Sequence, residues 1–508
     1  MRRESFHALF VALLAGVIAF TNLGNFSGST GDETLHITVT LEMMQSGNWL
    51  IPTLDGQPYL NKPPLKMWMS MLPIALLGPT NFAFRFLDAT AGVLTALLLW
   101  WLTFKLTRSS IFGVISATAL LSCDAYIFNH GIRNAVQDSW LILFSSTAIA
   151  SGALLLAELE QGPVEKGRRL KLALLAGISI GCALLTKSAG GLIAIPILGC
   201  LALTGALWKN FRETFSSALI IGVTAALVAG LYYIPAYLQD PPLFSLVFER
   251  EVLNRARHGY HNTQNYLFYW GRLLQLRYLN PLLLAVALPV LCVTFRASFA
   301  SRLALLWALV PVVLYSIIPS RMEWYIAPAF PGMGLSLGIA LYHLAAYYKA
   351  FRSELPLSFA QTTKRILVLL TLFLTVGLLA YDTALVVRRV NLPKTRGAFD
   401  LLTEELRRAK VADELGIRII IEPEFRARHN ELPYLTALRP YATDPKSVVD
   451  KSAEGRARTI LFTSWEKFSK QQDPQVTASL KLPRDIERRR TMIVVQYGEP
   501  LVSSQLKR

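Results

Sequence analysis

Charged residues are scarce in this chain. Asp, Glu, Lys and Arg make up 17% of its 508 residues against 53% hydrophobic, where a soluble domain carries closer to about a quarter charged. Mean hydropathy is +0.39. That balance excludes an ordinary soluble globule. Cysteine is scarcer still: Cys123, Cys182, Cys200 and Cys292 lie in or beside apolar runs without paired spacing. A disulfide framework or cysteine metal site is excluded on that pattern, and the four read as small membrane hydrophobes. Acid is short relative to base, 34 against 51, which leaves a net charge of +17. No zinc-finger spacing or basic region accompanies the excess, so nucleic acid is set aside. Basic loops on the inner side of a membrane account for it better.

What is present is a succession of apolar runs near the roughly 20 residues needed to cross a bilayer. The chain reads as a polytopic α-helical membrane protein. Spans are expected at 6–24, 82–104, 111–128, 139–157, 171–187, 189–208, 215–237, 277–295, 303–318, 324–347 and 366–387. Met67 to Leu77 is short and broken by Pro73, which suggests a re-entrant piece or half of a broken helix. The start, Met1-Arg2-Arg3 followed by an apolar stretch to Leu23, mimics a signal peptide. The stretch is long and no A-x-A cleavage site follows, so it is expected to stay as a first span with a cytoplasmic start.

The loops alternate in charge. Lys105 and Arg108, Lys166 to Lys171, Lys209 and Arg212, Arg296 and Arg302, and Lys349 to Arg365 fall on one side, assigned to the cytoplasm. The other side holds 27–66, 129–138, the junction at Lys187, 238–275 and 319–323. An odd span count sends the C-terminal part to that outer side too, although Arg388, Arg389, Lys394 and Arg396 argue against it. Residues 1–390 are therefore expected to form the transmembrane domain, with a first outer loop at 27–66. Residues 394–508 form a soluble α/β domain with an amphipathic helix at 399–415. Its strands are read at 417–421, 458–462 and 491–495. That region contains no G-x-G-x-x-G, P-loop or G-x-S-x-G, and no nucleotide-binding motif is found elsewhere.

The outer loops carry the candidate chemistry. Asp32 and Glu33 follow the first span, and Thr30-Gly31-Asp32-Glu33 fits a capping box in which Glu33 reaches back to Thr30. Leu35, Val39 and Met43 recur every fourth residue, as in a helix lying at the membrane interface. Further on come Tyr59 and Lys62, Arg133 and Asp138, Lys187, then Glu251, Arg255, Arg257 and His258, and finally Arg321. Each has an ordinary reading: a cap, a local ion pair, or a lysine reaching the headgroups. Together, carboxylates and several cations on one membrane face suit a lipid phosphate.

Three segments in order carry a resemblance: Asp32-Glu33-Thr34, Ser46-Gly47-Asn48-Trp49-Leu50-Ile51-Pro52, and Tyr59-Leu60-Asn61-Lys62-Pro63-Pro64. Leu184-Leu185-Thr186-Lys187, Glu251 with Arg255, and Trp324-Tyr325-Ile326-Ala327-Pro328-Ala329-Phe330-Pro331 follow. Over roughly residues 5–345 the chain resembles the bacterial aminoarabinose transferases and their protein-mannosyltransferase relatives, which are GT-C glycosyltransferases. The resemblance implies a GT-C membrane fold of about 11–13 spans with a small C-terminal α/β domain. It also implies transfer of a sugar from a polyprenyl (undecaprenyl) phosphate donor to a lipid A, protein or glycan acceptor, at the periplasmic face of the inner membrane.

By the same resemblance Asp32 is the catalytic acid–base position, with Glu33 and Asp138 beside it. Lys62, Arg133, Lys187, Arg255, Arg257 and Arg321 face the donor phosphate, and Tyr59, Glu251 and His258 complete the rim. Two departures stand out. The family tends to have Glu before the lysine and His after the later glutamate, where this chain has Asn61 and Val252. A divalent metal would lack ligands there, so no metal or other cofactor is carried over. The competing reading is a transporter or flippase of lipid-linked saccharides. Such proteins tend to show internal repeats and polar residues near the midplane; this chain shows no repeat, and its charges gather at span ends.

Overall fold

The structure is a computed structural model. It describes residues 3–25, 31–54, 56–254, 257, 265–352 and 359–392, and the strands 418–421, 459–464, 476–481 and 492–497. Thirteen helices organise the membrane part: α1 (Arg3–Phe20), α2 (Gly31–Ser46), α3 (Leu65–Leu77), α4 (Asn81–Thr107), α5 (Ser110–Leu121), α6 (Asp138–Gln161), α7 (Lys166–Lys187), α8 (Ala194–Leu203), α9 (Phe211–Gln239), α10 (Pro281–Thr294), α11 (Phe299–Ile317), α12 (Phe330–Arg352) and α13 (Phe359–Asn391). Their starts follow local chemistry. Thr80 caps α4 by accepting from the Ala83 N–H at 3.1 Å. Asn280 caps α10 at 3.1 Å ahead of Pro281, whose missing N–H is no loss at the first helical position.

Among the described residues, eight helical stretches are long and apolar enough to cross a membrane, while α3, α5 and α10 are apolar but shorter. Each of the eleven expected segments corresponds to one of these helices. The chain is a multi-pass membrane protein. One of the eight stretches, Lys166–Leu203, is too long for a single pass and folds back on itself. The reversal occurs at Ser188, whose φ is 45°, and in the 3-10 turn Ser188–Ile193. Gly191 makes it feasible: a Cβ there would lie 2.4 Å from the Ala183 carbonyl carbon. Beyond α8 the chain is back at the far end of α6, where Arg302 bonds Thr204 O at 3.0 Å and Glu160 at 2.6 Å.

These contacts sort the helix ends into two groups. At one end lie the start of α4, α6 and α12 and the close of α1, α7, α9, α11 and α13. His7 with Ser110, Glu158 with Arg168, and Arg365 with Tyr348 mark the other. Every basic loop assigned to one side by charge lies at that second end. Helix α13 closes at the first end, where the Asn22 side chain donates to Val390 O at 3.0 Å and Arg389 pairs with Asp124. Arg389, which seemed to oppose this orientation, is thus neutralised by a carboxylate.

The first outer loop differs from expectation. Helix α2 is not an interfacial helix with one wet face: nearly every side chain from Glu33 to Met43 is buried. Thr38 and Thr40 satisfy their hydroxyls on the carbonyls of Thr34 and His36, at 3.0 and 2.7 Å. Val39 and Met43 pack with Tyr59, Met67 and Met71, and Ile51 packs with Leu185 and Tyr232, so the loop is seated on α3, α7 and α9. In the C-terminal part, β1 (Arg418–Ile421), β2 (Thr459–Ser464), β3 (Val476–Lys481) and β4 (Met492–Tyr497) form one sheet in the order β1-β2-β4-β3. Only β1 and β2 pair in parallel. Three strands coincide with the apolar runs read in the sequence; β3, with its mixed Val476-Thr477-Ala478-Ser479, lacked that signal. The expected helix at 399–415 lies outside the described residues.

Gly191→Ala should lower stability by about 1–3 kcal/mol, because backbone must move to admit the methyl group. Gly199→Ala, which meets nothing within 4 Å, should be neutral or slightly stabilising in its helix. Thermal unfolding of the two purified variants checks this, and equal melting temperatures would contradict the fold-back.

Candidate active site

The segment joining α5 to α6 builds the site. After the short helix Asp124–Phe128 the chain turns through His130, a non-glycine residue at φ 51°, a conformation that is uncommon outside constrained sites. Gly131 follows because nothing larger fits: a Cβ would lie 2.0 Å from Tyr126 O. Ile132 and Arg133 then return their N–H groups to Tyr126 O and Ile127 O, at 3.0 and 3.3 Å. This knot aims His130 outward, turns Arg133 under α1, and starts α6 at Asp138.

Three buried ion pairs radiate from it. Glu33 on α2 meets Arg85 on α4 at 2.6 Å, both side chains almost fully buried, and accepts the Ala135 N–H at 2.8 Å. Lys66 on α3 meets Asp88, one turn along α4, at 2.9 Å, and Asp88 also accepts from Ser139 Oγ at 3.2 Å. Asp138 meets Lys187 at the end of α7 at 2.5 Å, with His130 Nδ1 3.8 Å away. Five elements are thereby linked through α4 and the start of α6. The acidic start of α6 also suits the positive end of its helix dipole.

The aromatic block after Arg321 closes over this set. Trp324 stacks on His130 with ring centres 3.7 Å apart, and Lys187 lies over Tyr325 at 5.4 Å. Glu323 holds the block in place, bonded to Arg272 at 2.8 Å and to Asn129 at 3.2 Å.

The expected site residues fall into distinct places. Asp32 is exposed at the first turn of α2, and Lys62 is half-buried ahead of Pro63-Pro64, which hold the chain extended before α3. Asp138 and Lys187 are joined as described. Arg257 is exposed. Arg321 is buried, with Nε and Nη2 on Ser316 O at 3.3 and 2.9 Å, and lies over the Tyr266 ring at 4.9 Å. Arg255 and His258 lie outside the described residues; Glu251 falls on the π-helical turn Glu249–Asn254.

Three assignments are corrected. Arg133 does not present its guanidinium to a phosphate: it bonds the α1 carbonyls Ile18 O and Ala19 O at 2.7 and 3.1 Å and Thr21 O at 2.7 Å. Burial first, and the Arg85 charge second, pull its pKa down to about 10. Glu33 is not a catalytic carboxylate at the surface but the buried partner of Arg85; Thr30, its expected capping partner, is outside the described residues. Tyr59 is a packing residue of the loop, its ring among Val39, Met43 and Met67.

Sequence reasoning missed Lys66, Arg85, Asp88, His36 and His130. For Arg85 and Asp88 a signal existed, since both are ionisable groups inside an expected span, where each costs roughly 2.5–3.5 kcal/mol unless partnered. His130 had only the Asn129-His130-Gly131 turn. Among the described residues no group of three or more His, Cys, Asp or Glu side chains is disposed to hold a metal ion.

Residues 9–248 match the family model described as dolichyl-phosphate-mannose-protein mannosyltransferase. Among curated proteins, an undecaprenyl phosphate-α-4-amino-4-deoxy-L-arabinose arabinosyl transferase from Enterobacter sp. (strain 638) is 27% identical over 323 residues, 60% of this chain and 54% of that protein. The same enzyme from Edwardsiella ictaluri is 28% identical over 319 residues, with the same coverage. The chain spans about half the length of the curated relatives it matches. Among solved structures, ArnT from Cupriavidus metallidurans bound to undecaprenyl phosphate superposes with a TM-score of 0.64 at 18% identity, over 99% of each chain. The archaeal oligosaccharyltransferase AglB from Archaeoglobus fulgidus gives 0.56 at 13% identity, over 91% of this chain and 70% of that one. The resemblance read from the sequence is borne out: the chain has the fold of the GT-C membrane glycosyltransferases.

Glu33→Gln should destabilise by about 3–5 kcal/mol, because it strands a buried guanidinium. The double variant Glu33→Met with Arg85→Met should recover much of that loss. Thermal melts of the variants test the point; a Glu33→Gln melt equal to wild type would mean that the pair carries no structural weight.

Proposed function

We propose that this chain is a polyprenyl-phosphate-sugar-dependent glycosyltransferase acting at the outer, periplasmic face of the inner membrane. The donor would be an undecaprenyl-phosphate-linked sugar and the acceptor a hydroxyl of lipid A or of a protein. One observation carries the reading: an exposed carboxylate, Asp32, shares one end of the bundle with Lys62, Lys187, Arg257 and Arg321, opposite the end that bears the basic loops. The likeness to ArnT and to the mannosyltransferase model supports it. The basic loops at the other end favour the cytoplasm for that side and the periplasm for the site. The C-terminal part, leaving from the close of α13, would then lie in the periplasm. A flippase would need its polar groups along the path through the membrane, whereas these sit at the rim.

The chemistry follows from the charges. The Asp32 carboxylate takes the proton of the acceptor hydroxyl as its oxygen attacks the anomeric carbon. The bond from that carbon to the donor phosphate oxygen breaks, and its electron pair leaves with the polyprenyl phosphate. Lys62, with Lys187, Arg257, Arg321 and Arg255, supports the growing negative charge. Being exposed, Asp32 can return its proton to water before the next turnover. The bond between sugar and phosphate supplies the driving force, so the chain needs no nucleotide site.

Asp32→Asn keeps shape and polarity but removes the proton acceptor. Transfer should fall by about 10²–10⁴-fold while undecaprenyl phosphate still binds as in the wild type. Lys62→Met should instead weaken that binding. Full activity of Asp32→Asn with a defined donor and acceptor would overturn its role as base.

A further inference from the structure

His36 stands one helical turn beyond Asp32 on α2, on the same face. It is 6% exposed, and its Nδ1 has no hydrogen-bond partner among the described residues. A buried polar atom left unpaired is costly, and in a native site it marks a place where a ligand completes the set. Its electrostatic surroundings come from three other segments: Lys62 before α3, Lys66 on α3 and His130 in the turn before α6, with Asp138 as the one opposing charge. Burial first, and these cations next, hold the imidazole well below its ordinary pKa. At neutral pH it is uncharged and offers one N–H donor and one nitrogen acceptor.

The carboxylates around it are already engaged. Glu33 is held by Arg85 at 2.6 Å, Asp88 by Lys66 at 2.9 Å, and Asp138 by Lys187 at 2.5 Å. Asp32 is assigned to the acceptor. A sugar bearing an ammonium group would lose its water here and meet Lys62, Lys66 and His130 in return, a juxtaposition of like charge. A sugar hydroxyl suits both the imidazole and the lysines. We infer that His36 contacts the sugar of the donor and that this sugar carries no ammonium group, unlike the 4-amino-4-deoxy-L-arabinose named for the curated relatives. The inference rests on the reading of the site as a polyprenyl-phosphate-sugar transferase.

A matched pair of donors tests it. Full-length protein in lipid nanodiscs is titrated by native mass spectrometry with undecaprenyl phosphate, undecaprenyl phosphate-L-arabinose and undecaprenyl phosphate-4-amino-4-deoxy-L-arabinose, the two donors differing at one substituent. The arabinose donor should bind more tightly than the amino donor by at least about tenfold. His36→Gln should weaken the arabinose donor about three- to tenfold and leave bare undecaprenyl phosphate unchanged, a difference that a general loss of structure would not give. His36→Asp should shift the preference toward the amino donor. An amino donor that binds as well as or better than the arabinose donor overturns the inference and leaves the transferase reading intact. Failure of undecaprenyl phosphate itself to bind overturns both.

Discussion

A carboxylate and a cation brought out of water together are the constraint on which this site is built. Glu33–Arg85, Lys66–Asp88 and Asp138–Lys187 lie at 2.6, 2.9 and 2.5 Å, each almost wholly enclosed. Taking such ions out of water costs several kcal/mol apiece, and their attraction only roughly offsets it. They are weak sources of stability compared with apolar packing of the same volume. What they contribute is position. Each pair fixes one element of the outer end against α4 or the start of α6, so a polar loop region is held in one arrangement.

That arrangement separates two kinds of charge. The enclosed pairs neutralise each other and set the frame, with Arg133 capping α1 as a further strut. Asp32, exposed on the first turn of α2, and Lys62, half-buried before α3, stand outside the frame. The carboxylate and lysine that the proposed chemistry needs are those that the frame does not consume. A paired carboxylate would be a poor base, because its partner favours the ionised form. The same logic explains why Glu33, next to Asp32 in the chain, cannot share its role: one residue further round the helix it faces Arg85.

The membrane helices were legible because lipid as solvent imposes long apolar runs, and all eleven expected segments became helices. The fold-back at Ser188 was legible for a different reason: Lys187 and the glycines after it interrupt the run. The nature of α2 was not. Its period of four apolar residues is shared by an interfacial helix and a buried one, and only the tertiary seating on Met67, Met71 and Tyr59 separates them. At the site, Asp138 and Lys187 were both singled out, but their pairing across 49 residues of chain was not visible. Arg133 and Glu33 were misread because a charged residue beside a functional one looks the same in sequence whether it faces the ligand or the scaffold. Arg85 and Asp88 were overlooked although their place inside an apolar span should have drawn notice.

The central claim is that this framed end of the bundle receives a lipid phosphate. Its most direct test is an electron cryo-microscopy structure of the full chain with undecaprenyl phosphate in a lipid nanodisc. The account predicts phosphate density within about 4 Å of the Lys62 amine, on the side of the bundle that carries Asp32 and Lys187, with the Glu33–Arg85 and Lys66–Asp88 pairs unbroken. Phosphate density beside Lys166 to Lys171, or Lys62 turned away from a phosphate bound elsewhere, would contradict it.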